Sequence, residues 1–166
     1  AFFLRALAYS NIMRAYGGVV LVSEPYELDS DFLSIQRSTL DETVDFILAD
    51  LAQAISLLPK ENDQGRATKG AAAALKSRVL SWCTGELMNG GYEGSNPLVS
   101  FQSGSRTTRL EAAKAAAKDV MNGTYGSYGL TGTTDDPPAV LTEEDVQKYA
   151  TDFYSTFIQQ GEWNNE

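Results

Sequence analysis

The residues best placed for chemistry are aromatic rings set among polar loop residues. Tyr92 lies in a glycine-rich segment beside Glu93 and Asn96, and Trp163 lies between Glu162 and Asn164. Tyr125 and Tyr128 sit among glycines. Such a ring can pack on the flat C–H face of a sugar while Asn, Asp, Arg or Gln side chains hold its hydroxyls. That combination of apolar face and few polar groups is typical of small-ligand sites. Tyr92, Asn96 and Trp163 are therefore the candidate ligand-binding residues. The competing reading for each ring is a loop anchor packed on the core. Trp82 and Tyr9 fall on helical stripes, and their spacing assigns them to the core.

Other chemistry is poorly provided for. The chain has no histidine, which removes Ser-His-Asp and Cys-His catalysis and the commonest zinc ligand. Its one cysteine, Cys83, cannot form an internal disulfide and reads as a small buried apolar residue. Gly65 and Gly70 fit part of a phosphate-loop frame, but Ala71-Ala72 stand where Lys-Ser/Thr is needed. Carboxylates cluster at Asp29/Asp31, Asp135-Asp136 and Glu143-Glu144-Asp145. A glycosidase pair would have to face across a cleft; the simpler reading is solvated loops and a helix N-terminus. No EF-hand spacing supports calcium at Asp135-Asp136. No catalytic residue, metal site or cofactor is expected.

Helices must position these residues. Phe2, Ala6, Tyr9, Met13 and Tyr16 recur at steps of four and three, so a first helix runs to about Tyr16 and stops at Gly17-Gly18. Val19 to Val22 is a short apolar run, expected to be extended, and residues 23–37 are a loop. Thr39 with Glu42 makes a capping box, opening a second helix with the stripe Leu40, Val44, Ile47, Leu51, Ile55 and Leu58. Thr68 caps a third helix, expected from about Lys69 to Leu87. Its start, Gly70 to Ala74, has almost no side-chain bulk, so another helix can approach closely. Ala72 or Ala73 should face that neighbour.

Residues 90–107 are rich in Gly, Ser, Asn and Pro and read as a long surface loop, a length often associated with function. Thr108 and Glu111 are expected to cap a fourth helix closing near Gly123. After a second loop over 123–141, Thr142 and Asp145 cap a fifth helix carrying Val146, Tyr149, Phe153 and Phe157. Paired helices suggest an all-α solenoid, although the repeat is irregular. With 166 residues the chain is about one domain. Its net charge of −9 argues against nucleic acid, whose phosphates call for Lys and Arg, and against anionic lipid surfaces.

Three blocks in order carry a family resemblance: Phe3-Leu4-Arg5-Ala6 with Tyr16-Gly17-Gly18-Val19-Val20-Leu21-Val22; then Arg37-Ser38, Val44, Ile47, Asp50-Leu51, Ala54 and Leu58-Pro59; then Gly65-Arg66-Ala67-Thr68-Lys69-Gly70 running into Leu75 and Val79. A weaker fourth block runs from Ala112 to Gly123 and Tyr125. The chain resembles the SusD/RagB family of nutrient-binding outer-membrane lipoproteins over residues 1–88, less closely to 130 and weakly beyond. Val20 departs from the family's usual proline.

The resemblance implies an all-α, SusD-like fold, a tetratricopeptide-like helical superhelix with long loops. It implies that residues 1–166 are part of a single helical domain truncated at both ends, an internal fragment lacking the family's lipid-modified N-terminal cysteine. It implies non-catalytic capture of an oligosaccharide, at the cell surface, for a SusC-like TonB-dependent outer-membrane transporter. Attachment to the outer membrane would be only through that lipid anchor. The alternatives are a helical protein-interaction scaffold without a small ligand, or a peptide-binding importer component. The family's ligand contacts lie in variable loops, so the resemblance assigns no site residue.

Overall fold

The computed structural model describes residues 1–27, 29–63, 65–91, 93–128 and 142–158, with side chains to 151. Residues 1–126 form one compact unit and 127–166 a second. Among the described residues the regular structure is entirely helical: α1 (Phe2–Tyr16), α2 (Leu40–Leu57), α3 (Lys69–Trp82), α4 (Arg106–Met121) and α5 (Glu143–Ile158), with a 3-10 turn at Glu86–Met88. In the first unit, α1 packs on α2, α2 on α3 and α3 on α4, while α1 and α3 meet along a short stretch. This serial stacking is the all-α, solenoid-like arrangement that the capping signals and stripes predict.

The α2 stripe builds the core. Leu40, Val44, Ile47, Leu51 and Ala54 are buried, joined by Ala6 and Met13 from α1 and by Ala72, Leu75 and Val79 from α3. Ile55, Leu58 and Tyr9 are only partly covered. Thr39 and Glu42 form the expected capping box: the Thr39 hydroxyl accepts from the Glu42 N–H, and the Glu42 carboxylate accepts from the Thr39 N–H. Arg5 of α1 makes a two-pronged ion pair with Asp50 of α2, at 2.7 and 2.8 Å. Asp50 is 4% exposed. Hydrogen bonding to Asp50 raises the pKa of Arg5 further, and the guanidinium also lies 4.7 Å from the Phe46 ring centre.

The bare start of α3 is used as expected. Thr68 accepts from the Ala71 N–H, and Gly70, Ala72 and Ala73 are buried. On the α4 side, Leu80 packs with Ala113 and Ala116, and these small α4 residues permit close approach.

Two expectations about helix ends are corrected. The third helix ends at Trp82 rather than Leu87. Cys83 is its C-cap, and Thr84 and Gly85 turn the chain back onto Ser81 and Trp82. The Asn89 side-chain amide then donates to the Cys83 and Gly85 carbonyls, at 2.8 and 2.7 Å, which closes the turn. The fourth helix is capped by Ser105, not Thr108: the Ser105 hydroxyl accepts from the Thr108 N–H. Arg106 donates to the Thr84 carbonyl, which ties this earlier first turn to the end of α3. Glu111, expected to pair back to Thr108, is instead 3.9 Å from Lys114.

In the second unit Thr142 and Asp145 cap α5 reciprocally. Hydrogen bonds from the Thr142 hydroxyl and N–H hold the Asp145 carboxyl below its usual range.

Candidate functional site

One corner of the first unit positions the candidate loop. At the end of α1, Gly17 adopts a left-handed φ of 74°, which glycine tolerates without steric cost. A Cβ there would lie 2.0 Å from the Leu98 carbonyl oxygen, and one on Gly18 would lie 2.1 Å from that of Ser38. Three segments therefore meet with no room for a side chain. The Gly18 N–H donates to the Leu98 carbonyl at 2.6 Å, the Leu40 N–H to that of Pro97 at 2.8 Å, and the Ser38 N–H to that of Val19 at 2.9 Å. Arg37 donates to the Gly18 and Tyr16 carbonyls. Val19 to Val22 joins no sheet among the described residues. The Tyr9 hydroxyl donates to the Val20 carbonyl and accepts from the Val22 N–H, so this run is held although Val20 is not proline.

The loop from Asn89 to Ser105 is thus stapled at its middle. Ser100 is fully buried; its hydroxyl accepts from the Gly90 N–H. The Phe101 N–H donates to the Met88 carbonyl. The Gln102 amide spans the loop to the Gly94 and Ser100 carbonyls. Asp41, in the first turn of α2, accepts from the Gln102 N–H at 2.9 Å and from the Ser103 hydroxyl. Burial disfavours the ionised Asp41, but these hydrogen bonds and the Arg109 charge outweigh it, so its pKa is lowered. Arg109 stacks 4.0 Å from the Phe101 ring centre and donates to Asn89 and the Ser103 carbonyl.

Within this loop Asn96 is half-buried and shapes a turn. Its side-chain oxygen accepts from the Leu98 N–H at 3.0 Å, and its carbonyl accepts from the Val99 and Ser100 N–H groups. That commits the oxygen to the backbone and leaves the amide NH2 as the group that could reach a ligand. Tyr92 and Trp163 lie outside the described residues, as do Asp135 and Asp136. Tyr125 is half-buried and Tyr128 is exposed.

The sequence reading missed one aromatic pair and misjudged another ring. Tyr26 and Phe32, in the loop between α1 and α2, meet edge to face at 5.7 Å, and both are exposed. The next residue, Leu33, is 98% exposed; its N–H donates to the Asp31 side chain, which makes a tight turn and pushes these residues outward. The signal was an apolar triplet of residue types in a loop with no helical or alternating period. Trp82 was assigned to the core by its spacing from Leu75 and Val79, yet it is 46% exposed. It occupies the last residue of α3, where the short α1–α3 contact leaves it at the rim of a shallow cleft lined also by Asn11, Arg14, Leu75, Arg78 and Val79. The Arg14 guanidinium lies 5.2 Å from the Trp82 ring centre.

Cys83 is buried, and burial pushes its thiol up to about 11. It is therefore protonated at neutral pH and no nucleophile. Among the described residues no three His, Cys, Asp or Glu side chains converge as a metal site. No described helix is long and apolar enough to cross a membrane.

Comparison with known proteins adds the following. Residues 1–80 match the model of a SusD-like family described as starch-binding and associating with the outer membrane. A SusD-like protein of Bacteroides ovatus is 32% identical over 77 residues, covering 46% of this chain and 14% of that protein. The crystal structure of a SusD-like protein from Bacteroides fragilis NCTC 9343 is 34% identical, with a TM-score of 0.57 over 80% of this chain and 21% of that one. A crystal structure with xylogluco-oligosaccharide is 26% identical, with a TM-score of 0.57 over 79% of this chain and 24% of its own. The chain thus spans a quarter or less of the length of these relatives.

Proposed function

We propose that the chain belongs to the SusD-like family that it resembles over residues 1–80, and that it is part of a non-catalytic, glycan-binding lipoprotein of the outer-membrane surface. In this reading residues 1–166 lie within one SusD-like domain of a longer protein. That protein is held to the membrane by an N-terminal lipid and delivers oligosaccharides to a SusC-like, TonB-dependent transporter. The observation that carries the reading is the similar structure with xylogluco-oligosaccharide. The loop from Asn89 to Ser105 supports it: a loop already ordered by Asp41, Ser100, Gln102 and Arg109 loses little further freedom on binding.

Sugar hydroxyls exchange good hydrogen bonds with water for good hydrogen bonds with protein. Affinity should therefore be modest, with a dissociation constant from micromolar to millimolar, about −8 to −4 kcal/mol. The test is calorimetry on the full-length parent protein with a panel of neutral glycans that includes xylogluco-oligosaccharide, followed by product chromatography. Binding without turnover is expected. Cleavage that disappears on mutating a single acidic residue would make the protein an enzyme. Peptide binding without glycan binding would keep the importer role and remove the carbohydrate.

The second reading, a protein-interaction scaffold, is favoured by one feature: the exposed Tyr26, Phe32 and Leu33. Failure of every glycan and peptide to bind, with retained capture of the transporter, would select it.

A further inference from the structure

The cleft between α1 and α3 lies apart from the loop discussed above, and its chemistry is different. Helical spacing brings Asn11 and Arg14 together on α1 and Arg78 and Trp82 together on α3. The floor is apolar, formed by Leu75 and Val79. Two guanidiniums line the cleft and no carboxylate does. That is unusual in a chain of net charge −9. Neither Arg14 nor Arg78 is in an ion pair among the described residues, whereas Arg5 and Arg66 are. Arg14 stacks over Trp82. A guanidinium placed over an indole can use its face for the ring and its in-plane N–H fork for an anion.

Size narrows the ligand. The cleft has a volume of about 30 Å³, room for roughly two waters. A sugar ring does not fit inside it; a single carboxylate group does. The indole of Trp82 at the rim offers an apolar surface for whatever carries that carboxylate.

We propose that the α1–α3 cleft is an anionic-sugar subsite, in which Arg14 and Arg78 hold the carboxylate of a uronate residue and Trp82 packs against its ring. The Asn11 amide stands beside them to bond a ring hydroxyl. This rests on the glycan-binding reading but uses residues separate from the loop candidates. It extends the ligand class from neutral to acidic oligosaccharides. A guanidinium–carboxylate pair is the strong, geometrically specific element, and the ring contact adds the preference for a sugar.

The experiment uses the full-length parent protein, and its fluorescence is read against the same protein carrying Trp82→Phe, so that the difference reports on the cleft. It is titrated with an oligogalacturonate, with the same oligomer fully methyl-esterified, with xylogluco-oligosaccharide and with a glutamate-rich peptide. The oligogalacturonate should change Trp82 fluorescence and bind, and the neutral ester should bind about tenfold more weakly or worse. Arg14→Gln with Arg78→Gln should remove the preference for the acid over the ester and leave xylogluco-oligosaccharide binding unchanged. Arg14, Arg78 and Trp82 are exposed, so the variants should fold; circular dichroism checks this. Equal binding of acid and ester, or an acid affinity unaffected by the double variant, would overturn the subsite while leaving the glycan-binding function intact. Tighter binding of the peptide than of the oligogalacturonate would overturn the assignment to sugar. Loss of xylogluco-oligosaccharide binding in unmodified protein would instead count against the parent reading.

Discussion

Between Phe2 and Trp82, many residues of the recognisable motifs are committed to contacts within the protein; between Asn89 and Ser105, the residues that could meet a ligand belong to no motif. Arg5 is spent on Asp50, Arg37 on the end of α1, Thr39 and Glu42 on each other, and Gly17 and Gly18 on a corner without room for a side chain. The loop is ordered too, but by different means. Its staples are backbone carbonyls pinned to that corner, a buried serine and a glutamine spanning its own turn. The match to the family model ends at residue 80, before the loop begins. A shared motif in this chain therefore reports the frame, and the frame determines where the Asn89–Ser105 loop is held.

The largest expected effect lies where the two regions touch. Gly18→Val should destabilise by about 3 kcal/mol or more, since it forces a side chain into a backbone contact. A urea melt measures it, and a loss under about 1 kcal/mol would mean that the corner is looser than its 2.1 Å approach indicates. Because the same corner carries the loop, glycan affinity should fall with it.

Arg5→Ala should cost about 2–3 kcal/mol by leaving Asp50 buried without its partner. Replacing both residues with apolar ones should recover most of that. If the single and double variants are equally unstable, the pair matters for packing rather than for charge. Ala72→Leu should cost about 1–3 kcal/mol by overpacking a fully buried position in α3. An unchanged melting curve would contradict the close approach of its neighbours.

Acid should separate the two regions further. The Asp41 pKa is lowered in the folded protein, so its ionised form contributes stability above the ordinary carboxylate pKa. That contribution is lost as pH falls through the lowered value. Hydrogen exchange at Gln102 and Ser103 should therefore speed up on acidification relative to the core of α2. Asp41→Asn should abolish most of the pH dependence. Equal acceleration in both regions would show that Asp41 holds the whole fold and not the loop.

The sequence was informative where structure is local. Capping boxes at Thr39 and Thr142, the Thr68 cap, the glycine stop after Tyr16 and the α2 stripe each depend on residues within a turn or two of one another. It was less informative where two local signals compete. Ser105 and Thr108 can both cap α4, and the choice is made by Arg106 reaching the Thr84 carbonyl, a contact that no local pattern contains. The end of α3 was misplaced because no proline marks it; the stop comes from Asn89 folding back onto Cys83 and Gly85. Trp82 shows the limit of periodicity, which gives the face of a helix but not whether a neighbour extends far enough to cover it. Of the candidate site, Asn96 was legible as a loop polar residue, but its use as a turn acceptor was not. The pinning of the loop to Gly18 and Leu40 joins segments far apart in the chain and leaves no trace in either.

The most direct test of a frame that folds and loops that bind is calorimetry with an oligosaccharide on the full-length protein, with each variant also melted in urea. Tyr92→Ala and Trp163→Ala should weaken binding severalfold to tenfold or more while changing stability by less than about 1 kcal/mol, since a ring that meets a sugar belongs to the ligand and truncating a ring outside the core is nearly neutral for folding. Unchanged affinity together with a clear loss of stability in both variants would show that these rings are anchors of the core, and the division between frame and reading loop would fail at the residues meant to define it.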